Sequence, residues 1–498
     1  MSKIGIFIFR RDLRVYDNLA LHTLLDTVDY IIPIFILDSY QIKKSSHNES
    51  YFCNNVVQFM CESLIDLDKT LKLQLFYGDY KDIIRDIVDI ALKNFNKDKI
   101  VIGFNEDFST YAIKRDTYIK DICVKNGIQC LTDKDDLTLI DIDKLVENKG
   151  SAYKQYGAYY KTAIKLDVHK PLQQKKINEY KNIFTNKSKY IYDIKDLHTF
   201  YTFNKDLAEN GGRSIALTIL QKHIKEFADY NDKRDLLSYK TTHLSAHLNF
   251  GTISIRELYH TILTHIGKNS QLIKQLYWRD YLLQAFKYFD HAKEYDRHMN
   301  LDATNDYDSI KWKNEKMKKE WELLMTSKTG FLIIDAAMCQ MITTGYMHNR
   351  ARMIVGMFWT KYLLINPFDI KYGSQTGFSR YLVDAIGSTQ NKMNHHMITE
   401  FDYPGKKYSA KGVPMSGRPM NIANEMIKKF DPDCEYIKTW LPHLKDIPNK
   451  DLYKWSKEIS EKYNSIHPPP IFDSKKKYAE WIEGTSVSPL NPLRHSEL

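Results

Sequence analysis

Cysteine is scarce in this sequence and shows no ligand spacing. Cys53, Cys61, Cys123, Cys130, Cys339 and Cys434 form no CxxC pair, which leaves a zinc or iron–sulfur centre without a basis and points to a reducing compartment. HExxH is missing, and the adjacent His395 and His396 point in different directions from any regular element, so no histidine metal site is expected. There is no GxSxG nucleophile elbow and no GxxxxGK[ST] phosphate loop, and no GxGxxG follows the first apolar run. Hydrolytic chemistry has no anchor. The opening MSKIGIFIFRR has an apolar run too short for a secretory leader or a membrane span. A soluble, intracellular protein with no membrane partner is expected.

What the chain does have is length, aromatic content and positive charge. Its 498 residues suggest two or three domains, and 43% hydrophobic with 13% aromatic content is ample for a folded enzyme. The 34 tyrosines could serve packing, ligand stacking or redox hopping. A net charge of +10 and a pI near 8.9 fit either lysine-rich solubility or an electrostatic footprint for a polyanion. Charge alone does not separate the two.

Residues 4–10, 31–37, the front of 73–80 and 99–104 read as buried strands, alternating with helix-like segments at 18–27, 56–71, 81–94 and 111–126. That alternation predicts an α/β domain over residues 1–131, with a parallel sheet that is Rossmann-like but lacks GxGxxG. Residues 132–205 mix charges, prolines and aromatics, and read as an interdomain linker. Over 206–498 the patterns are mainly helical, at 214–230, 254–266, 271–288, 317–325, 333–343 and 350–364, so an all-helical domain is expected there.

Four stretches carry candidate chemistry. FRRDLRVYDNLAL, residues 9–21, sets three arginines and two aspartates after a strand end, where open sheets bind ligands. The plainer reading is that these charges pair with one another. In residues 230–259, Thr241, Thr242 and Ser245 stand just before helix-like segments, where a helix N-terminus favours phosphate. Helix capping explains Ser254 there, but it explains Arg234, His247 and the hydroxyl cluster less well. In QLIKQLYWRDYLLQAF, Gln275, Trp278 and Arg279 share a helix face, as a platform for a planar ligand or with the indole in the core. In residues 329–353, Asp335 follows an apolar run, and His348, Asn349, Arg350 and Arg352 open the next helix. Arginines there oppose the helix dipole, so they need an anion: an acid elsewhere in the fold or a cofactor phosphate.

Taken in order, these segments resemble the photolyase/cryptochrome flavoproteins. FRRDLRVYDNLAL resembles the family's opening and THLSAHLNFGTIS its flavin-phosphate segment. YWRDYL, TGFLIIDAAMCQM and TGYMHNRARM resemble the core of its FAD-binding domain, and FDPDCEYIKTWLPHLKDIP its closing segment. The resemblance implies an α/β antenna domain and a helical domain holding one FAD, active in its reduced form. It also implies blue-light-driven electron transfer from FAD to a pyrimidine dimer flipped out of damaged DNA. By the same resemblance, Tyr230, Thr241, Thr242, Ser245 and Arg279 would contact the FAD phosphates and ribityl chain. Arg352 and Asp384 would lie near the isoalloxazine, Asn349 beside dimer and flavin, and Trp278 and Met353 against the lesion. HNRARM resembles the form found in cyclobutane-dimer enzymes of class I, whereas the (6-4) enzymes carry a histidine pair in this turn. The resemblance thus implies a DNA photolyase (a deoxyribodipyrimidine photo-lyase) that acts in the nucleus or wherever the DNA is, as a monomer. The alternative is a non-repairing cryptochrome-type light receptor binding FAD. A DNA-binding module with FAD as a purely structural ligand is a third possibility.

Several positions depart from the family pattern. Gln275 stands where these enzymes usually have a glutamate that bonds the lesion; it can donate and accept but brings no charge. Ala112 replaces the glutamate of folate-antenna members, which argues against folate and leaves another antenna chromophore open. In VDAIGSTQNKMNHHM, residues 383–397, Gln390 would face flavin N5, and Asn394 replaces the tryptophan nearest the flavin. His396 takes the place of the other tryptophan of that run, and Pro367 replaces the middle tryptophan of the usual relay. Only Trp312 resembles the distal member; Trp359 and neighbouring tyrosines could substitute, and a small-molecule or flavin-reducing electron donor could replace the relay. Gln275, Trp278, Arg350 and Arg418 are the expected DNA contacts, Arg418 within the basic run KKYSAKGVPMSGR.

Overall fold

Strand β1, Ile4–Phe9, is buried at every position, because both faces of a parallel sheet are covered and the sequence becomes a continuous apolar run. It lies inside a six-stranded sheet of order β5-β4-β1-β2-β3-β6. Strands β2 (Tyr30–Asp38), β3 (Gln74–Gly78), β4 (Ile100–Asn105) and β5 (Gln129–Asp133) run parallel, and β6 (Ile191–Tyr192) pairs antiparallel with β3. The structure is a computed structural model and describes residues 2–43, 52–134, 136–153, 155–288, 318–363, 365, 379–384 and 424–473.

Helices α1 (Leu19–Leu25), α2 (Asn54–Asp68), α3 (Tyr80–Asn94) and α4 (Thr110–Asn126) alternate with the strands. Their ends follow local chemistry. The side chains of Asn18, Asp79 and Ser109 accept backbone N–H groups at the starts of α1, α3 and α4, and Gly127 closes α4 at φ 65°. Residues 132–205 contain α5 (Ile142–Lys149) and α6 (Tyr156–Ala163), and they supply β6 and the buried Phe184, which packs edge-on against Phe76 at 5.3 Å. The chain then forms α7 (Arg213–Thr218), α8 (Tyr230–Lys233), α9 (Leu244–Phe250), α10 (Ile255–His265) and α11 (Gln271–Tyr288).

The later helices are α12 (Lys318–Met325), α13 (Leu332–Thr344) and α14 (Asn349–Met357), the last continued by a π turn over Phe358–Tyr362. After them come α15 (Asn424–Phe430), α16 (Glu435–Trp440), α17 (Asn449–Leu452) and α18 (Lys457–Lys462). The expected architecture, a parallel α/β half followed by a mainly helical half, is the one formed. Among the described residues no helix is long and apolar enough to cross a membrane.

Contacts divide the chain into two units. The first comprises Met1–Asn231, Thr242–Glu294 and Val383–Gln390; the second comprises Asp232–Thr241, Tyr295–Leu382 and Asn391–Leu498. Ile32, Ile84, Ile87, Ile102 and Phe104 are central to the core around the sheet. In the second unit Ile333, Met338, Val355, Phe358 and Trp359 are fully buried.

The first unit also buries charge. Arg14 donates to Asp136 at 2.7 Å and to Gly251 O at 3.1 Å, and Arg256 pairs with Asp17 at 2.9 Å. The charges in FRRDLRVYDNLAL are expected from the sequence to pair with one another; Arg10, Arg11, Arg14 and Asp17 instead pair with Asp116, Asp107, Asp136 and Arg256 from distant segments. Removing one member of a buried pair strands the other, at a cost of about 3–5 kcal/mol. Asp136→Ala should lower the stability of this unit by that amount in urea unfolding, and Arg14→Met with Asp136→Leu should restore most of it. A loss below about 1 kcal/mol for Asp136→Ala would show that the pair is dispensable.

Candidate functional site

α9 is short and held from several sides. Its C-cap Gly251 adopts φ 65°, and a Cβ there would lie 2.0 Å from Arg11 O, so both the backbone conformation and the close approach require glycine. Arg11 donates to Asn249 O at 2.8 Å and to Asn249 Oδ1 at 2.6 Å, and Leu13 N donates to Phe250 O at 3.1 Å. The Asn249 amide in turn donates to Val383 O at 3.0 Å, and Ser245 Oγ donates to Asp384 Oδ2 at 2.8 Å. The turn at residues 383–384 is thereby fixed on α9. Thr242 Oγ1 accepts the Leu244 N–H at 3.4 Å, and Tyr230 begins α8 half-buried.

The other residues singled out in this stretch have structural roles. Ser254 caps α10, accepting from Arg256 N at 3.1 Å. His247 is fully buried and bonded to Thr252 Oγ1 at 2.8 Å. Burial, only partly opposed by Glu209, pushes its pKa down to about 4, so it is a neutral core side chain. Its place in a hydroxyl-rich segment reflects packing.

On α11 the three expected face-mates separate by burial. Gln275 is exposed, and Trp278 is half-buried with its ring 4.3 Å from Tyr156 and 5.6 Å from Tyr281. Arg279 is buried and donates Nη1 to Leu137 O, while desolvation, only partly opposed by the charge of Asp280, brings its pKa down to about 10. The neighbouring Asp280 accepts Leu139 N at 2.7 Å and Ile140 N at 3.2 Å. α11 thus anchors the 137–140 segment with one face and presents Gln275 on another.

The second unit carries Thr241 and the residues around α14. Thr241 Oγ1 lies 2.9 Å from Tyr346 OH, and the Arg352 guanidinium stands 5.5 Å over the Tyr346 ring. Arg352 is buried, with Nε donating to Met347 O at 2.7 Å. His348 caps α14, its Nδ1 accepting Arg350 N at 3.2 Å, and it is only 2% exposed. Asn349, the first residue of the helix, is exposed; Met353, one turn on, is half-buried.

The anion required by Arg350 is Asp235, with Nε and Nη2 both 2.8 Å from Oδ1. Burial raises the Asp235 carboxyl, but the Arg350 hydrogen bond and charge outweigh it and hold the group below its ordinary range. Trp359 is fully buried against Trp321, with ring centroids 4.8 Å apart; Trp321 was not singled out from the sequence because nothing in its spacing marks it. Asp335 is also buried and bonded within its own unit. Gln390, Trp312 and Arg418 lie outside the described residues, as do Pro367, Asn394, His395 and His396.

A cavity of ≈ 100 Å³ lies at the C-terminal ends of the strands, lined by Arg10, Asp38, Tyr80, Tyr111, Ala112 and Arg115 among others; Arg10 and Ala112 were singled out from the sequence, the acid and the tyrosines were not. It is well above the roughly 10–15 Å³ that one water needs. Asp38 accepts the Tyr111 hydroxyl, and its carboxyl is raised, chiefly by burial. Arg10 pairs through Nη1 with Asp116, while its buried Nε and Nη2 have no hydrogen-bond partner among the described residues. Desolvation, and next the charge of Arg115, bring the Arg10 pKa down to about 10. For the acid and the tyrosines the available signal was position alone: open sheets bind ligands beyond their strand ends.

In the first unit the hydroxyls of Thr242 and Ser245 stand at α9 with the Asp384 carboxylate, and Arg279 is buried on α11; in the second, Thr241 stands beside Tyr346 and the buried Arg352. Residues 272–486 match the FAD binding domain of DNA photolyase, and residues 6–176 match the DNA photolyase family. A deoxyribodipyrimidine photo-lyase of Streptomyces griseus is 23% identical over 94% of this chain and 96% of its own. A (6-4)DNA photolyase of Oryza sativa subsp. japonica is 28% identical over 93% and 86%. Among solved structures, an archaeal photolyase from Sulfolobus tokodaii with two FAD molecules superposes with a TM-score of 0.73 at 27% identity, covering 96% of this chain and 99% of that one. With this fold and these matches, the chain belongs to the photolyase/cryptochrome superfamily, with FAD as its cofactor and blue-light photochemistry as its general activity.

Proposed function

We propose that this chain is a photolyase that splits cyclobutane pyrimidine dimers in DNA, using light and reduced FAD. One observation supports this specificity above the (6-4) alternative. His348, the histidine of the HNRARM turn, is buried and spent on capping α14, while Asn349 and Met353 stand a turn apart on its more open side. A histidine so held is poorly placed to exchange a proton with a lesion. In this reading Asn349 bonds the dimer, Met353 and Trp278 pack against it, and Gln275 supplies a neutral hydrogen bond. Gln390 tunes the flavin. Tyr230, Thr241, Thr242, Ser245 and Arg279 hold the FAD phosphates and ribityl chain, and Arg352 and Asp384 flank the ring. Arg350 and Arg418 meet DNA phosphate, and Trp359 hands electrons on during flavin reduction in place of the usual relay, with Trp312 at its outer end. The domain division at 131 and 205 belongs to the same reading.

The test is a lesion panel. Reduced, FAD-loaded protein under blue light should restore an oligonucleotide carrying a cyclobutane dimer and leave a (6-4) product unchanged. Asn349→Ala should lower the repair rate by about tenfold or more, the loss of one hydrogen bond to a charged group. Gln275→Glu should raise it. Flavin photochemistry with no dimer restored would sink the enzyme reading and favour a cryptochrome-type receptor.

The sheet-end cavity is proposed as the site of a second, antenna-type ligand. Tyr80 and Tyr111 provide aromatic walls, Arg10 offers two unmet N–H donors, and Ala112 leaves room where folate binders carry a glutamate. Those features suit a flat ring system with a carbonyl or anionic edge and do not suit folate. Ala112→Trp should abolish any non-FAD absorbance without changing FAD content; a second chromophore retained in that variant would place it elsewhere.

A further inference from the structure

A hydrogen-bonded row of three ionisable side chains crosses the second unit, separate from every residue given a role above. Asp335, in the first turn of α13, is 0% exposed and accepts four hydrogen bonds. Thr329 N and Thr329 Oγ1 bond Oδ1 at 2.9 and 2.7 Å, and Gly330 N and His467 Nε2 bond Oδ2 at 2.8 and 2.9 Å. With both oxygens filled by donors, the carboxylate is ionised and His467 Nε2 carries a proton. His467, itself buried, sets Nδ1 at 3.0 Å from Nε2 of His443, whose ring is exposed.

A nitrogen–nitrogen contact of this length holds one proton. Two lone pairs repel each other, and two N–H groups clash. With both rings neutral, His443 Nε2–H donates to His467 Nδ1. A proton taken from solvent at His443 Nδ1 leaves that bond in place but puts a charge on a ring whose surroundings disfavour it, and Asp335, reached only through His467, offsets part of that cost. A second proton can only enter the contact itself, and then the bond breaks.

The row is attached to a segment with its own anchors. Ser460 Oγ donates to His467 O at 2.6 Å, Trp455 Nε1 to Pro468 O at 2.9 Å, and Ile471 N to Thr329 O at 2.9 Å. Pro469 O lies 2.1 Å from where a Cβ on Gly330 would stand, so the segment is pressed against the turn before α13. Phe472 then stacks on Tyr362 at 5.7 Å and 7° and on Phe358 at 5.6 Å and 18°. Both of those rings belong to the π turn that continues α14.

We propose that His443, His467 and Asp335 form a proton-operated latch, which docks residues 467–472 against α13 and through Phe472 steadies the turn at the end of α14. The proposal stands independently of the light reaction. Partial desolvation lowers the proton affinity of the otherwise exposed His443 ring, the neighbouring His467 lowers it further, and Asp335 opposes both without cancelling them. Ser460 and the Trp455 ring, which also face His467, carry no charge. A histidine that binds protons less well when docked is docked most firmly above its ordinary pKa of about 6.5, and it releases as pH falls through and below that value.

Hydrogen–deuterium exchange on the full chain, corrected for intrinsic rates, tests this. Residues 468–470 are prolines without amide hydrogens, so the readout is the Ile471 amide, which bonds Thr329 O. Between about pH 8 and about pH 5 its protection should fall about tenfold more than that of the sheet, and residues 358–362 should follow. His443→Gln, whose amide can still donate to His467, should stay docked at high pH and lose most of the pH response. Phe472→Ala should keep the response at Ile471 but uncouple 358–362. Equal protection at both pH values in the parent protein, or an undiminished response in His443→Gln, would overturn the proposal.

Discussion

In the first unit one buried side chain, the amide of Asn249, ties three distant segments together. Its oxygen accepts from Arg11 at 2.6 Å and its nitrogen donates to Val383 O at 3.0 Å. An amide taken out of water is costly unless both ends are satisfied, so each bond fixes the segment that supplies it. The loop after the central strand, helix α9 and a turn more than 130 residues later are therefore held in one arrangement, and Ser245 with Asp384 adds a second tie at a separation of 139. Gly251 makes this possible, since any Cβ would collide with the Arg11 carbonyl.

From that clamp the functional reading follows in steps. It places the acid that resembles a flavin neighbour on the helix that resembles the flavin-phosphate segment. The second unit supplies a buried arginine over Tyr346 and an exposed asparagine at the start of α14. The family's photochemistry requires a reduced flavin and a lesion; on the proposed reading these residues position both, and the exposed Gln275 makes the lesion contact neutral where the family has charge.

Much of the fold was legible because buried parallel strands write themselves as apolar runs, as in IGIFIF, and because Asn18, Asp79 and Ser109 mark helix starts. β6 was not, since a strand of two residues has no period to detect and takes its pairing from β3. The charges after β1 read from the sequence as mutual pairs, but topology sets their partners elsewhere, at Asp107, Asp136 and Arg256. Within the site, the residue types around α9, α11 and α14 pointed to FAD through their resemblance to a family. The sequence could not show that Arg279 is turned inward on Leu137 O, or that Asp235 answers Arg350, because neither follows from helical spacing. The latch was invisible for the same reason: His443 and His467 are 24 residues apart, and Asp335 is 132 from His467.

The claim on which the account rests is that the Asn249 clamp builds part of the flavin site. Titration of apo-protein with FAD, comparing the parent with Asn249→Ala and using far-UV circular dichroism to confirm the sheet, measures it directly. The account predicts FAD affinity reduced about tenfold or more with the sheet intact, the consequence of losing bonds worth about 1–3 kcal/mol. Unchanged FAD affinity in the folded variant would contradict it.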